Sequence, residues 1–416
     1  MGKKKISTIL FVVILVLSIV SLDVIRNAQF RRTKDEIVLK ILYTSEKEGW
    51  INSVAPAFPD WFSNRNPGLT VRTEFEVTGT RTSMLSVLSG ESKPTIWSPA
   101  ASVWVPLFDW SWVRKFGNRI IDENQTKSLV ASPIILGTWK SYKDDNNFTQ
   151  WSDLYDLANK NLKLAHTSAQ ESNSGYMAVL LEIVAASGKE PDQITISDLQ
   201  NSTIQEWMRK VESTAVLYGT STGFLAKQAV QLGPSALNVM ILYENLIIET
   251  AKDGEAYAKW GDNLVAVYPE EGTLWSDHPL VILNASWVTP EEHFAAKEFE
   301  TYLLSKEIQK QAIPFGFRPG NETIINDLDI VSEMEEIFKP ENGVELNITI
   351  PKFTVPTDGE VLDRIPDMWL KTRATTLEKE ETAEYWQLGY EPFFLFSCVS
   401  GTLTFLVLFR KKRREK

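Results

Sequence analysis

From residue 37 onward the chain alternates short apolar strands with helices, and this alternation restricts it to a mixed α/β architecture. Ile37–Tyr43 (IVLKILY) is an apolar run broken by one lysine, the pattern of a strand buried on both faces, and Thr44-Ser45 ends it in a polar loop. Residues 50–62 carry apolar side chains at helical spacing, and residues 69–77 (LTVRTEFEV) alternate with period two. Strand, helix, strand opens a βαβ unit, so a mostly parallel sheet is expected. The same reading predicts further strands at 94–97, 162–165, 264–268 and 280–283. Helices are predicted at 83–88, 175–186, 201–217, 226–232, 291–306 and 358–370. Val130–Trp139 is apolar but holds Pro133, which predicts an edge or crossing strand.

The two ends are apolar and basic. Lys3, Lys4 and Lys5 precede an uncharged run over residues 6–22, and a second uncharged run over 393–409 is followed at once by Arg410, Lys411, Lys412, Arg413 and Arg414. Seventeen residues is the lower limit of a spanning helix. The reading is a signal anchor, or a removed signal peptide, over 1–32, and a transmembrane helix with a basic tail over 386–416. The positive-inside rule puts both basic tips in the cytoplasm and the main domain outside the cell membrane. The tips carry +3 and +5, so of the net −11 the residues between them hold −19. Asn-x-Ser/Thr acceptors at Asn124, Asn147, Asn201, Asn284, Asn321 and Asn347 agree with an exterior, glycosylated domain.

Several function classes are disfavoured. An acidic outer domain has no net positive field with which to neutralise phosphates, so no nucleic-acid partner is expected. The single cysteine, Cys398, rules out an intrachain disulfide or a Cys-based zinc site. His166, His278 and His293 offer no HExxH spacing, and neither a metal nor a cofactor is expected. No GxSxG elbow, Walker loop or GxGxxG is present. The carboxylate pairs Glu270-Glu271, Glu291-Glu292 and Glu335-Glu336 read as solvated faces rather than a glycosidase pair. In Asp277-His278 an Asp stands next to an imidazole, but adjacent residues seldom point together, so the chain is not expected to be an enzyme.

Four loops share one composition: Thr44-Ser45, Thr78-Gly79-Thr80, the segment from Ser98 to Ser102, and Ser172-Asn173-Ser174-Gly175. The segment from Thr220 through Ser221 and Thr222 to Gly223 is a fifth. In open α/β sheets such loops gather at the carboxyl ends of the strands, where ligands bind. Hydroxyls there both donate and accept, and helix N-termini favour a negative or strongly polar ligand. Ser, Thr, Asn and Gly are equally the ordinary capping and turn residues, so the argument rests on the set rather than on any one loop.

The order of these loops resembles the type II periplasmic solute-binding fold, and more narrowly the extracellular solute-binding domain often joined to a von Willebrand factor A domain. The resemblance is carried by residues 95–102 (TIWSPAAS), by Gly233-Pro234-Ser235, and by Tyr243-Glu244-Asn245. It continues through Tyr268-Pro269-Glu270-Glu271-Gly272, Trp275-Ser276-Asp277-His278-Pro279, Trp287-Val288-Thr289-Pro290 and Phe315-Gly316-Phe317-Arg318-Pro319. It covers residues 37–373, and the second domain has no counterpart in this sequence. The resemblance implies two lobes closing on a ligand, with residues 33–131 and 276–385 in one and 132–275 in the other. It puts Ser45, Thr80, Ser98 and Ser102 on one wall, and Ser172, Asn173, Ser174, Thr220, Ser221, Thr222, Tyr243 and Glu244 on the other. A carboxylate at Glu244 would oppose an anion. The expected function is a membrane-anchored protein that captures a small polar solute for an ABC-type permease or as a sensor. The alternative is a surface interaction or assembly protein that keeps the fold and takes a protein partner.

Overall fold

The computed structural model describes residues 36–122, 126–387, 390–399 and 402–411. In chain order its strands are β1 (Ile37–Tyr43), β2 (Val71–Val77), β3 (Ile96–Ser98), β4 (Lys127–Ser128), β5 (Val130–Trp139), β6 (Leu164–Thr167) and β7 (Ala215–Gly219). They continue as β8 (Val239–Tyr243), β9 (Leu264–Val267), β10 (Trp275–Ser276), β11 (Pro279–Ile282) and β12 (Arg318–Pro319). A first sheet has the order β2-β1-β3-β11-β4, and a second has β10-β5-β8-β6-β7 with β9 and β12 also on β5. In the first sheet β1 pairs in parallel with β2 and β3, while β11 runs antiparallel to β3. In the second, β6 pairs in parallel with β7 and β8, and β5 crosses antiparallel to β8.

The hydrophobic pattern explains these positions. β1 buries Leu39, Ile41, Leu42 and Tyr43 because helices cover both faces of the sheet, whereas β2 forms the edge and keeps Arg72, Glu74 and Glu76 in solvent. β5 is buried along all ten residues and lies in the interior of its sheet, so it is not an edge strand. Pro133 is accommodated because the β8 ladder begins only at Ile134. The predicted helix at 50–62 is divided into Glu48–Val54, a 3-10 turn at Ala55–Ala57 and Phe58–Arg65, since Pro56 and Pro59 remove backbone donors. The predicted helix at 201–217 stops at Glu212. Ser213 and Thr214 turn their hydroxyls onto the carbonyls of Lys210 and Val211, and the chain then enters β7.

The last helix, Gly359–Gln387, contains Pro366. Proline has no N–H to give the Leu362 carbonyl, and the Tyr176 hydroxyl supplies that bond at 2.7 Å. The helix packs against helix Trp104–Phe116 beside the first sheet and against helices Asn173–Ser187 and Ser202–Glu212 beside the second. Two corrections concern the membrane. Among the described residues no helix is long and apolar enough to cross one. The expected C-terminal spanning helix is instead an antiparallel pair, β13 (Tyr390–Val399) and β14 (Thr402–Lys411). Ser400-Gly401 is a turn signal in the middle of the run, and the flanks are rich in Phe, Val and Thr, which favour strands. The N-terminal run over 6–22 and Asn124 lie outside the described residues.

Candidate ligand-binding cleft

The polar loops sit where strands end and helices begin. In the first sheet β1 runs into the turn Ser45–Lys47, β2 into helix Thr80–Ser89, and β3 through Pro99 and Ala100 into helix Trp104–Phe116. In the second, β6 leads to helix Asn173–Ser187, β7 to helix Thr222–Leu232 and β8 to helix Glu244–Asp253. The Ser174 hydroxyl lies 2.7 Å from both Thr167 Oγ1 and Thr222 Oγ1, joining the loops after β6 and β7. This contact depends on Gly175: a Cβ there would fall 2.0 Å from the Thr167 carbonyl oxygen, so only glycine lets the helix start so close to β6.

Asn173 connects the two sides. Its Nδ2 donates to the Tyr243 hydroxyl at 2.8 Å, and its Oδ1 accepts the Trp104 indole N–H at 2.7 Å. Trp104 belongs to the helix that follows β3, so the second bond joins loops of different sheets, and the Trp104 ring also packs on Tyr176 with centroids 4.7 Å apart. On the first-sheet side, Thr80 Oγ1 accepts from the Ala100 N–H at 3.2 Å. Ser102 donates its N–H and its hydroxyl to the two oxygens of Asp277, at 2.7 and 2.5 Å.

Other predicted residues stand apart from this network. Ser45, Thr220 and Ser221 are exposed, and Ser221 caps its helix by accepting from the Phe224 N–H. Ser172 is buried without a side-chain cap bond. Glu244 is buried and does not face a ligand as a free acceptor: Arg318 donates to both of its oxygens at 2.8 and 2.7 Å, and the Tyr268 hydroxyl donates as well. The Glu244 objection to an anionic ligand therefore falls away.

The sequence reading missed Lys47. It is fully buried beneath these loops, with its ammonium donating to Thr44 Oγ1 at 3.1 Å, to the Ser98 carbonyl at 3.0 Å and to the Pro99 carbonyl at 3.3 Å. Burial pulls its pKa down to about 7, against the opposing pull of Glu46 and Asp277. His278 adopts a left-handed φ of 42°, and its Nε2 lies 3.3 Å from the Ser276 hydroxyl. Burial and the neighbouring Lys47 hold its imidazole well below the ordinary range, and burial raises the carboxyl of Asp277. Asp277 and His278 thus point to different partners, as expected of adjacent residues. Ser98 Oγ, Glu46 Oε2 and His278 Nδ1 are buried without a hydrogen-bond partner among the described residues. Flanked by Glu46 and Glu48, Lys47 reads as solvated; its one signal is its place just past the carboxyl end of β1. A separate groove of about 540 Å³, lined by Arg318, Glu335, Leu346 and Lys352 among others, includes none of the predicted ligand residues.

Two α/β sheets with facing polar loops at their carboxyl ends define a binding-protein fold of the periplasmic type. The chain belongs to the bacterial extracellular solute-binding proteins, whose family model matches residues 39–318. Proteins of this family bind solutes and are not enzymes. Solved structures agree on the fold. The ferric binding protein from Campylobacter jejuni superposes with a TM-score of 0.53 at 15% identity, covering 81% of this chain and 99% of its own. A Trichodesmium protein in complex with iron and citrate gives 0.55 at 12% identity, covering 80% and 99%. The periplasmic binding protein AfuA from Actinobacillus pleuropneumoniae, with fructose-6-phosphate bound, gives 0.51 at 14%, covering 81% and 99%. No curated protein sequence matches the chain.

Proposed function

We propose that this protein captures a small polar solute between two lobes and passes it to an ABC-type permease or reports it as a sensor. The observation that carries the reading is the Trp104–Asn173 hydrogen bond, made between hydroxyl-rich loops that close both sheets. A ligand touching both sets of loops favours the closed arrangement by its differential affinity for it. On this reading residues 33–131 and 276–385 form one lobe and 132–275 the other, with β5 and the β10–β11 segment as the two crossings. The solute contacts come from Thr80, Ser98 and Ser102 on one wall and from Asn173, Ser174, Thr222 and Tyr243 on the other. Ser45, Ser172, Thr220, Ser221 and Glu244 contribute from the rim or through the loops they hold. The related structures supply the transport analogy: one is a ferric binding protein, one is in complex with iron and citrate, and one has fructose-6-phosphate bound. The same reading keeps the main domain outside the cell, and the lysines at 3–5 before the uncharged run put the N-terminal tip on the cytoplasmic side.

A thermal-shift screen of the full chain against panels of sugars, sugar phosphates, polyamines, organic acids and amino acids tests this. One solute class should raise the melting temperature, and Ser174→Trp and Thr222→Trp should each abolish the rise. The rival reading, a surface interaction protein that keeps the fold, draws on the hydroxyls of Thr167, Ser174 and Thr222, which satisfy one another without a ligand. Absence of any solute response, together with a protein partner recovered by pull-down, would favour it and overturn transport.

A further inference from the structure

Behind the loop that follows β6, three side chains far apart in sequence meet in the interior. His166 lies on β6, Glu182 on helix Asn173–Ser187, and Glu212 ends helix Ser202–Glu212. All three are buried, and their ligand atoms lie within 4.8 Å of one another. His166 Nδ1 is 2.7 Å from the Thr167 carbonyl oxygen, which only accepts, so Nδ1 carries a proton and donates it there. That bond leaves Nε2 aimed at Glu212 Oε1, 3.2 Å away. An imidazole whose outer nitrogen donates to a backbone carbonyl while the inner one faces a carboxylate has the tautomer and orientation of a metal ligand. Glu212 is held in turn by the Trp369 indole N–H on Oε1 and the Tyr218 hydroxyl on Oε2.

The independent observation is Glu182. It is 0% exposed, and neither of its carboxylate oxygens has a hydrogen-bond partner among the described residues. A buried, unmatched carboxylate is costly unless a proton or a cation completes it. As metal ligands, Glu182 and Glu212 bring two negative charges, which one divalent ion cancels. Donors bound at about 2.1 Å around a tetrahedral ion stand about 3.4 Å apart, so the 3.2 Å pair fits, and Glu182, within 4.8 Å of the other two, needs to move by at most about 1.4 Å. One nitrogen and carboxylate oxygens suit Zn²⁺ and its first-row neighbours rather than Ca²⁺ or Mg²⁺, which prefer all-oxygen shells.

We propose that His166, Glu182 and Glu212 form a buried site for one divalent first-row transition-metal ion, separate from the ligand-binding loops. Through Trp369 the ion would also tie helix Gly359–Gln387 to the second sheet.

The test purifies the full chain from zinc-supplemented medium, removes loosely held ions by dialysis against a weak chelator, and counts bound metal by mass spectrometry. About one Zn²⁺ per chain is expected, falling to background in His166→Gln and Glu182→Gln. Trp369→Phe, which removes the indole N–H that holds Glu212 and keeps an aromatic ring beside His166 and Tyr218, should weaken zinc binding by about 10–100-fold in a competition titration with a chromophoric chelator. Stripping the ion with a strong chelator should bring the wild-type melting temperature down towards those of the two ligand variants; cooperative melting of the variants shows that they fold. Cobalt substitution should give visible absorption bands that the ligand variants lack. A metal-free wild type from supplemented medium overturns the proposal. So does retention of zinc by both ligand variants, or its loss in Asp277→Asn but not in them, which would place the ion in the cleft.

Discussion

Lys47 makes the burial argument measurable. In the unfolded chain its ammonium titrates near the ordinary value of 10.5, whereas in the folded protein burial brings it down to about 7. The folded state therefore binds fewer protons than the unfolded state between these values, and stability rises with pH across that window. At pH 7 and below the penalty is present in full, about 5 kcal/mol from the size of the shift alone, partly offset by the bonds to Thr44, Ser98 and Pro99. Replacing Lys47 by methionine removes the titration and those three bonds together, so its effect at one pH mixes two terms. The pH dependence separates them, because the lost bonds contribute a nearly constant offset. From pH 7 to pH 9 the wild type should gain about 2 kcal/mol relative to Lys47→Met. At a urea slope of about 3 kcal/mol/M this is a relative midpoint shift of about 0.7 M, readable by tryptophan fluorescence. Parallel stability curves for the two proteins over this range would refute the reasoning.

Other substitutions test neighbouring contacts. Arg318→Met strands Glu244 as a buried unpaired charge and should cost about 3–5 kcal/mol, while the double variant with Glu244→Gln should recover much of it; urea denaturation of the four proteins in the cycle decides. Tyr176→Phe leaves the Leu362 carbonyl beside Pro366 without its donor and should destabilise by about 1–3 kcal/mol, seen as a lower urea midpoint with an unchanged slope. Gly175→Ala places a methyl against the Thr167 carbonyl and must push the helix start away from β6. It should cost about 1–3 kcal/mol and weaken solute binding, because Ser174 moves with the helix; a thermal-shift titration with the solute found in the screen measures both.

The sequence shows much of the scaffold and less of the site. β1 and β5 are legible to the residue because their apolar runs are bounded by polar turns or charged flanks. β7 is hidden because Ala215–Gly219 follows a helix with no Gly or Pro between them, and only the hydroxyls of Ser213 and Thr214 mark the break. The loops rich in Ser, Thr and Gly are legible as a set, since helix starts and strand ends select those residues locally. Lys47 and Glu244 are not, for one reason: each is decided by a partner distant in sequence. Glu244 looks like a carboxylate in the cleft until Arg318, 74 positions later, takes both of its oxygens. Lys47 looks solvated until the carbonyls of Ser98 and Pro99 close over it. The apolar C-terminal run misleads because uncharged length alone does not distinguish a spanning helix from paired strands, and here the two flanks pair as strands.

Helix Gly359–Gln387 has 29 residues, which at helical rise makes a rod of about 43 Å. Its first half is gripped by neighbours beside both sheets, through Tyr176 at Leu362 and through Trp369 at Glu212. A rod held at one end is a lever. The arm beyond Trp369 is about 27 Å, so a turn of about 10° in the gripped half would carry the far end about 5 Å, and the far end is where the chain enters the β13–β14 hairpin. Any rotation of the gripped half is thereby enlarged where the helix meets β13, and shortening the arm by whole turns would scale that displacement down in proportion.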